Sequence, residues 1–157
     1  MLVTGGTFDK EYNELDGSLE FRETHIQEML ALGRSTVPVA IRTIMLIDSL
    51  DMTDDDRSII ADHCKRSDER RIIITHGTDT MPETARYIAE RISDKTIILT
   101  GAMVPYTFGS SDGLFNLGAA LAYVQVAPLG VYVSMNGRLF PAASVRKDKV
   151  AGRFVAE

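Results

Sequence analysis

The sequence predicts an α/β fold, a mostly parallel, doubly wound sheet of the flavodoxin-like type with helices on both faces. Apolar β-branched segments alternate along the chain with segments of helical pattern, which is typical of such sheets. The runs Ile72–Ile74 and Ile97–Leu99 are apolar on both strand faces, as buried parallel strands require. A length of 157 residues fits a single domain, so we assign residues 1–157 to one unit and expect no second domain.

Five strands and four helices are predicted. The strands are Leu2–Thr4, Val37–Asp48, Arg71–Thr75, Thr96–Gly101 and Gly130–Met135. The helices are Phe21–Leu32, Thr53–Arg66, Pro82–Ile92 and Asp112–Val124. Each has a boundary signal, because Gly33 follows the first, Thr53 is a good N-cap for the second, Pro82 opens the third, and Ser111 precedes the fourth. Residues Asn136–Lys147 are expected to form a hairpin-like arm.

Charge and hydropathy exclude several classes of function. The chain has 17 basic and 22 acidic residues, a net charge of −5 and no basic run, so nucleic acid is not an expected partner. No stretch approaches the ~20 apolar residues of a membrane helix, and no signal-peptide pattern is visible. We therefore expect a cytoplasmic location and no membrane partner. Cys64 has no disulfide partner and is expected to be a buried or half-buried thiol in a helix, whereas His25 and His63 are expected at the surface.

The segments that follow the predicted strands are the candidate functional site. In an open α/β sheet, ligands bind at the carboxyl ends of the strands, near the point where the strand order reverses. Small residues, hydroxyls and carboxylates dominate four such segments, which are Thr4–Thr7, Asp48–Met52, Thr75–Thr80 and Gly101–Met103. We expect these segments to meet at one edge of the sheet.

Two of these segments carry threonine hydroxyls that are candidates for a catalytic role. Gly5 and Gly6 allow a sharp turn that leaves the Thr7 hydroxyl and nearby N–H groups facing a pocket, which suits a nucleophile with an oxyanion site. A purely structural turn or a phosphate-holding loop would have the same sequence. Thr78 and Asp79 place a hydroxyl beside a carboxylate just before a helix. A helix cap is the alternative interpretation of Asp79.

A threonine nucleophile needs a base to take its proton, and a lysine can act as one if burial lowers its pKa. Lys147 is one candidate among several lysines, and a solvated surface position is the alternative. His76 has no second His, Cys or carboxylate at metal-ligand spacing, so we predict no metal and assign this histidine a loop-orienting role. The Gly5-Gly6 turn lacks the dinucleotide and P-loop motifs.

Taken together, the loops resemble the bacterial-type L-asparaginase (asparaginase/glutaminase) family. Its two motifs are present here as Thr4-Gly5-Gly6-Thr7 and as the longer and more specific run from His76 to Ala85. The resemblance continues through Gly101-Ala102-Met103, Ser111-Asp112-Gly113, Phe115-Asn116, Met135-Asn136 and Val145-Arg146-Lys147. Nearly the whole chain is therefore covered.

The resemblance implies an amidohydrolase that converts L-asparagine, or a related side-chain amide, to the acid and ammonia through a threonine acyl-enzyme. The implied catalytic residues are Thr7 as nucleophile, Thr78, Asp79 and Lys147 for proton handling, and Tyr12 on a mobile lid. The implied substrate-binding residues are Asp79 for the α-ammonium group, Ser49 for the α-carboxylate, and Gly6, Gly77 and Ala102. No metal and no organic cofactor are implied.

The chain departs from the family pattern in two ways. Leu50 stands where members usually have Gln after the serine that matches Ser49, which removes one polar contact to the substrate. Members also have a smaller C-terminal domain, whereas this chain ends ten residues after Lys147 and resembles a short, one-domain form. We expect a homodimer or homotetramer to cover the opening. The alternatives are a non-catalytic amino-acid-binding module and, from architecture alone, a nucleotide or phosphate binder.

Overall fold

The computed structural model describes residues 1–157 and contains one six-stranded sheet, two short hairpins and four helices. The strands are β1 (Leu2–Gly5), β2 (Lys10–Tyr12), β3 (Leu19–Phe21), β4 (Arg42–Ile47), β5 (Arg71–Thr75), β6 (Thr96–Thr100), β7 (Gly130–Met135), β8 (Arg138–Pro141), β9 (Val145–Asp148) and β10 (Arg153–Ala156). The helices are α1 (Ile26–Leu32), α2 (Asp54–Arg66), α3 (Met81–Ala89) and α4 (Gly113–Val126). Three short 3-10 turns cover Thr7–Asp9, Tyr106–Phe108 and Ala142–Ser144.

The order of the strands confirms the predicted fold class. The sheet runs β4-β1-β5-β6-β7-β8, with the first five strands parallel and β8 antiparallel to β7. Taken in chain order, the parallel strands therefore follow the flavodoxin-like sequence 2-1-3-4-5. The order reverses between β1 and β5. The segments that follow these two strands, which contain Thr7 and Thr78, thus lie at the switch point where ligands bind in such sheets.

The apolar runs are buried on both sides of the sheet, as predicted. Ile72 and Ile74 belong to the core beneath α2 and α3, whereas Ile73 belongs to the core beneath α1 and α4. Ile97 and Ile98 divide between the two cores in the same way. Successive side chains of a strand point to opposite faces, so a strand covered by helices on both faces needs apolar residues throughout.

The second predicted strand, Val37–Asp48, is too long. Only Arg42–Ile47 forms β4, because Pro38 has no N–H to donate to a strand ladder. Residues 37–41 run outside the sheet, and their apolar side chains pack partly against the core beneath α1 and α4. The alternation of apolar residues there reflects packing against helices and not membership of the sheet.

The first predicted helix, Phe21–Leu32, begins too early. Phe21 belongs to the hairpin strand β3, and α1 begins only after His25. Asp9 Oδ1 accepts hydrogen bonds from Thr24 Oγ1 and the His25 N–H, each at 3.0 Å, and so satisfies a donor at the start of the helix. The surface prediction for His25 is also wrong, since only 11% of its side chain is exposed.

The predicted hairpin-like arm, Asn136–Lys147, divides between two structures. Its first part, β8, extends the main sheet, and its last residues lie on β9, which pairs with β10 in a separate two-stranded sheet. The remaining boundaries shift by a few residues, as the bounds of α3 and α4 show. None of the four helices is both long enough and apolar enough to cross a membrane.

Candidate functional site

Three glycines show how closely the loops at the carboxyl edge of the sheet approach one another. A Cβ atom on Gly6 would lie 2.4 Å from the backbone nitrogen of Gly77, and one on Gly77 would lie 2.5 Å from Ser49 Oγ. A Cβ atom on Gly101 would lie 2.4 Å from the His76 carbonyl oxygen. The loops after β1, β4, β5 and β6 therefore meet, as predicted. Only glycine permits this approach, and Gly6 also needs its freedom to adopt a φ of 87°.

Lys147 reaches this group of loops from the hairpin β9–β10. Its Nζ donates hydrogen bonds to Thr78 Oγ1 at 2.8 Å and to Asp79 Oδ1 at 2.9 Å. The Lys147 side chain is only 9% exposed, whereas that of Asp79 is 35% exposed. The alternative of a solvated surface lysine is therefore wrong. An amine, a hydroxyl and a carboxylate lie together, which is an arrangement that can move a proton.

Thr7 and Ser49 belong to two of the loops that approach Gly77, since Gly6, directly before Thr7, and Ser49 itself lie close to Gly77. Thr7 opens a 3-10 turn directly after Gly6 and is half-buried. Ser49 is buried, and its hydroxyl has no hydrogen-bond partner within the chain. Buried hydroxyls usually have a partner, so this unpaired one beside a group of loops is a candidate for binding a ligand atom.

The structure places the remaining predicted residues as follows. Ala102, two residues after the end of β6, is fully buried, and the N–H of the next residue donates to Asp112 Oδ1 at 2.9 Å. Tyr12 lies at the end of β2, in the hairpin that follows the Thr7 turn, and is 57% exposed. A lid function for Tyr12 stays a prediction, as do the roles assigned to the other site residues.

An ion pair at the site has no counterpart in the sequence-based predictions. Lys10 on β2 pairs with Asp48, which directly precedes Ser49. Burial raises the pKa of Asp48, but the Leu50 N–H, Lys10 and the charge of Lys147 together bring this pKa below its usual value. Asp48 was identifiable as a strand-end carboxylate, whereas no spacing rule points to Lys10.

A buried amide network supports the loop after β6. Asn116 Nδ2 donates to the Gly101 carbonyl and to Asp112 Oδ2, each at 2.9 Å. Asn116 Oδ1 accepts from the N–H of Asn136 at 3.1 Å. The family resemblance includes these residues but assigned them no role. Their structural role is to join the loop after β6 to the turn after β7.

His76 is fully buried beneath the site. Its Nδ1 lies 2.7 Å from the Gly77 carbonyl, which can only accept, so Nδ1 carries the hydrogen and Nε2 faces Met52 Sδ at 3.1 Å. Burial lowers the pKa of His76 to about 4. The ring is therefore neutral at pH 7 and holds the loop, in agreement with the predicted loop-orienting role.

Converging side chains, and not a large cavity, define this site. Two cavities of about 330 and 360 Å³ lie at the opposite edge of the sheet, near the amino ends of the parallel strands, and both are lined in part by Met1. Leu50 and Tyr12, at the rim of the group of loops, are both exposed. No group of three or more His, Cys, Asp or Glu side chains is arranged to hold a metal ion.

Comparison with known protein families decides among the interpretations of this geometry. The family described as "Asparaginase, N-terminal" matches residues 1–153. The chain belongs to the asparaginase family. The resemblance inferred from the two motifs is thus confirmed, and the nucleotide-binding alternative, which rested on architecture alone, loses its support.

Individual members of the asparaginase family show how much of a typical member the chain represents. It is 34% identical to L-asparaginase 1 of Escherichia coli over 160 residues, which is 95% of this chain and 47% of that protein. It is 40% identical to the glutaminase-asparaginase of Acinetobacter glutaminasificans over 92 residues, or 56% of this chain and 28% of that protein. The solved structure of the thermostable L-asparaginase from Thermococcus kodakarensis superimposes with a TM-score of 0.88 at 27% identity, covering 99% of this chain and 49% of that one. The chain spans about half, or less, of the length of these relatives.

Proposed function

We propose that this member of the asparaginase family hydrolyses a side-chain amide, that of L-asparagine or a close relative, to the acid and ammonia. The observation that carries the proposal is the placement of the Lys147 amine, 2.8 Å from the Thr78 hydroxyl and 2.9 Å from the Asp79 carboxylate. A positioned amine bonded to a hydroxyl at the switch point of the sheet suits proton transfer to and from a threonine. The relatives named L-asparaginase and glutaminase-asparaginase support this class of amide.

In the proposed reaction Thr7 is the nucleophile. Its oxygen attacks the amide carbon, and its proton passes through Thr78 and Lys147 to the amide nitrogen. The carbon–nitrogen bond then breaks, ammonia leaves, and an ester joins Thr7 to the substrate acyl group. Water opens this ester, returning one hydrogen to Thr7 and releasing the acid. Backbone N–H groups of the turn at Gly6 are suited to stabilise the oxyanion formed in both steps.

The proposed substrate contacts follow from charge and burial. The partly exposed carboxylate of Asp79 is suited to hold the α-ammonium group as well as the Lys147 amine. The unpaired Ser49 hydroxyl is suited to bind the α-carboxylate. Main-chain groups at Gly77 and Ala102 would orient the amide, and Tyr12 would close over Thr7.

Ammonia release tests the proposal directly. Purified protein is incubated with asparagine, glutamine and related amides. Thr7→Val and Lys147→Met should each lower turnover by roughly 100-fold or more while the far-UV CD spectrum stays unchanged. Thr43→Val, at an exposed position of β4, and Lys149→Met, in the turn of the Lys147 hairpin, are matched controls that should keep full activity. Folded wild-type protein that releases no ammonia from any amide would defeat the proposal.

The identity of the nucleophile has its own test. Rapid acid quenching during turnover, followed by digestion and mass spectrometry, should find the acyl group on the peptide that contains Thr7. An acyl group on the peptide that contains Thr78 would exchange the roles of the two threonines. It would leave the amidohydrolase proposal intact.

A second candidate is a non-catalytic module that binds an amino acid at the same site. Leu50 favours it, because this side chain is 67% exposed and offers no hydrogen bond where family members usually have Gln. Under this alternative, aspartate would raise the midpoint of thermal unfolding although no amide released ammonia.

The state of assembly and the location are also proposals. We propose a homodimer or homotetramer in which a neighbouring subunit covers the exposed rim near Leu50 and Tyr12. Analytical ultracentrifugation would show a monomer if this is wrong. The proposed cytoplasmic location predicts that cell fractionation recovers the protein with cytoplasmic markers.

A further inference from the structure

The hairpin that carries Lys147 is not part of the main sheet. Strands β9 and β10 pair only with each other, and their register places Lys147 opposite Phe154 and Val145 opposite Ala156. An isolated two-stranded hairpin has little stability of its own, so contacts outside the hairpin must determine its position. Two side chains from other elements bond to its backbone.

The first contact holds the outer edge of β10. Asn136 Oδ1 accepts a hydrogen bond from the N–H of Phe154 at 2.9 Å, and Phe154 is the residue directly opposite Lys147. Asn136 lies in the turn between β7 and β8 with a φ of 55°, a conformation that asparagine tolerates better than most residues. Its own N–H is bonded to the buried Asn116, so the contact connects the hairpin to the loop after β6.

The second contact holds the outer edge of β9. Arg86 on α3 donates from Nη1 to the carbonyl oxygen of Val145 at 3.0 Å, two residues before Lys147. In an antiparallel pair, backbone groups point away from the partner strand in every second residue pair. The pairs Lys147–Phe154 and Val145–Ala156 are two residues apart, so the backbone groups of both pairs point away from the partner strand. One side chain therefore binds each outer edge of the hairpin.

We propose that Asn136 and Arg86 are positioning residues that hold the Lys147 amine on Thr78 and Asp79 during turnover. This inference rests on the proposed amidohydrolase function. Neither residue bonds to Thr78, Asp79 or the Lys147 amine; each acts through the hairpin backbone.

The two contacts affect geometry more than folding. Val145 and Phe154 are buried in the core beneath α2 and α3, so apolar packing keeps the hairpin on the domain when a polar contact is lost. Packing is not directional, however, and a displacement of about 1 Å of a catalytic group can lower turnover by roughly 100-fold. Losing either contact should therefore reduce kcat while substrate binding is preserved.

The test compares four variants of the full chain by steady-state ammonia release at 25 °C. Asn136→Gly keeps the positive φ but removes the acceptor, and Asn136→Asp keeps an acceptor oxygen at the same place. Arg86→Met keeps the aliphatic stem and removes the donors. Lys149→Met, in the turn of the same hairpin, removes neither contact. Hydrogen exchange at the Phe154 amide, followed by NMR, reports on the first contact independently of activity.

Asn136→Gly and Arg86→Met should each lower kcat roughly 10- to 100-fold with KM within about twofold of wild type. Asn136→Asp and Lys149→Met should stay near wild type. The Phe154 amide should exchange roughly 2- to 10-fold faster in Asn136→Gly, as expected for loss of one hydrogen bond.

Any of three results would overturn the inference. The first is an unchanged kcat in Asn136→Gly, and the second is a raised KM at constant kcat in Asn136→Gly or Arg86→Met. The third is a turnover in Asn136→Asp as low as that in Asn136→Gly. If Asn136→Gly does not fold, an unchanged kcat in Arg86→Met, or an unprotected Phe154 amide in wild type, overturns it instead. Wild-type protein without any amidase activity overturns the proposed function itself, and the inference falls with it. Active wild type with unaffected variants refutes the inference alone.

Discussion

Acidification should destabilise this protein through His76, because the folded chain has no place for a protonated ring there. The ring is fully buried, and burial lowers the pKa of His76 from 6.5 to about 4. In the unfolded chain the pKa returns to about 6.5, so the unfolded state binds a proton first as the pH falls. The contribution of His76 to stability is therefore complete above pH 6.5. It is lost progressively down to about pH 4, with no further change below.

The size of this effect follows from the pKa difference. At about 1.4 kcal/mol per pKa unit, a decrease from 6.5 to about 4 corresponds to about 3 kcal/mol of unfolding free energy. Domains of this size usually have a total stability of about 5–15 kcal/mol, so the loss is a large fraction of it. The added proton would lie on Nε2, which faces Met52 Sδ at 3.1 Å, because Nδ1 already carries the hydrogen that it donates to the Gly77 carbonyl.

The assay is urea unfolding followed by CD between pH 7 and pH 4, for wild type and His76→Asn. Asparagine keeps a side-chain N–H near the position of Nδ1 but does not titrate. The pH dependence of carboxylates such as Asp9, whose pKa burial raises, is present in both proteins and cancels in the difference. Wild type should lose about 3 kcal/mol more than the variant over this range. Equal losses in the two proteins would show that His76 does not cause the acid destabilisation.

Three further predictions concern separate parts of the chain. Gly6→Ala should abolish activity. Backbone strain at this positive φ costs about 1–3 kcal/mol, and the free energy of unfolding should fall by more than that because the new Cβ would also lie 2.4 Å from a backbone nitrogen. Gly109→Ala is the control, because Gly109 has a φ of 77° but a Cβ there would have no other atom within 4 Å, so it introduces strain without a clash. Urea unfolding measures the stability of both variants. Leu50→Gln should lower the KM for asparagine roughly 2- to 10-fold by adding one hydrogen bond, whereas Val150→Gln should not. Burial raises the pKa of Cys64 to about 12, so a thiol reagent at pH 7 should label this residue only as the protein unfolds in urea.

Local patterns predicted most of the fold and the position of the site. Buried strands such as Ile72–Ile74 need apolar residues on both faces, and this requirement is visible within one segment of the sequence. Because parallel strands place their carboxyl ends at one edge, the segments that contain Thr7, Ser49 and Thr78 could be expected to meet there before any coordinates were known.

The errors in the predicted strand and helix boundaries arise from contacts between residues far apart in the sequence. The run Val37–Asp48 alternates as a strand should, yet only its second part pairs with β1, while the first part packs against a helix layer. The start of α1 depends on Asp9, a residue 16 positions away from His25 in the sequence. Propensity and periodicity describe neighbours in the chain, whereas these boundaries depend on partners brought near by folding.

The α/β class, the edge of the sheet that holds the candidate site, and the hydroxyls and carboxylate at that edge could all be predicted from the amino-acid sequence. The folded structure was needed to show that Lys147, among several lysines, reaches Thr78 across 69 positions of the chain, and that Asn136 and Arg86 bond to its hairpin. Burial produces a periodic pattern of apolar residues within one segment of the sequence, whereas a hydrogen bond between distant residues depends on how the packed elements orient each side chain.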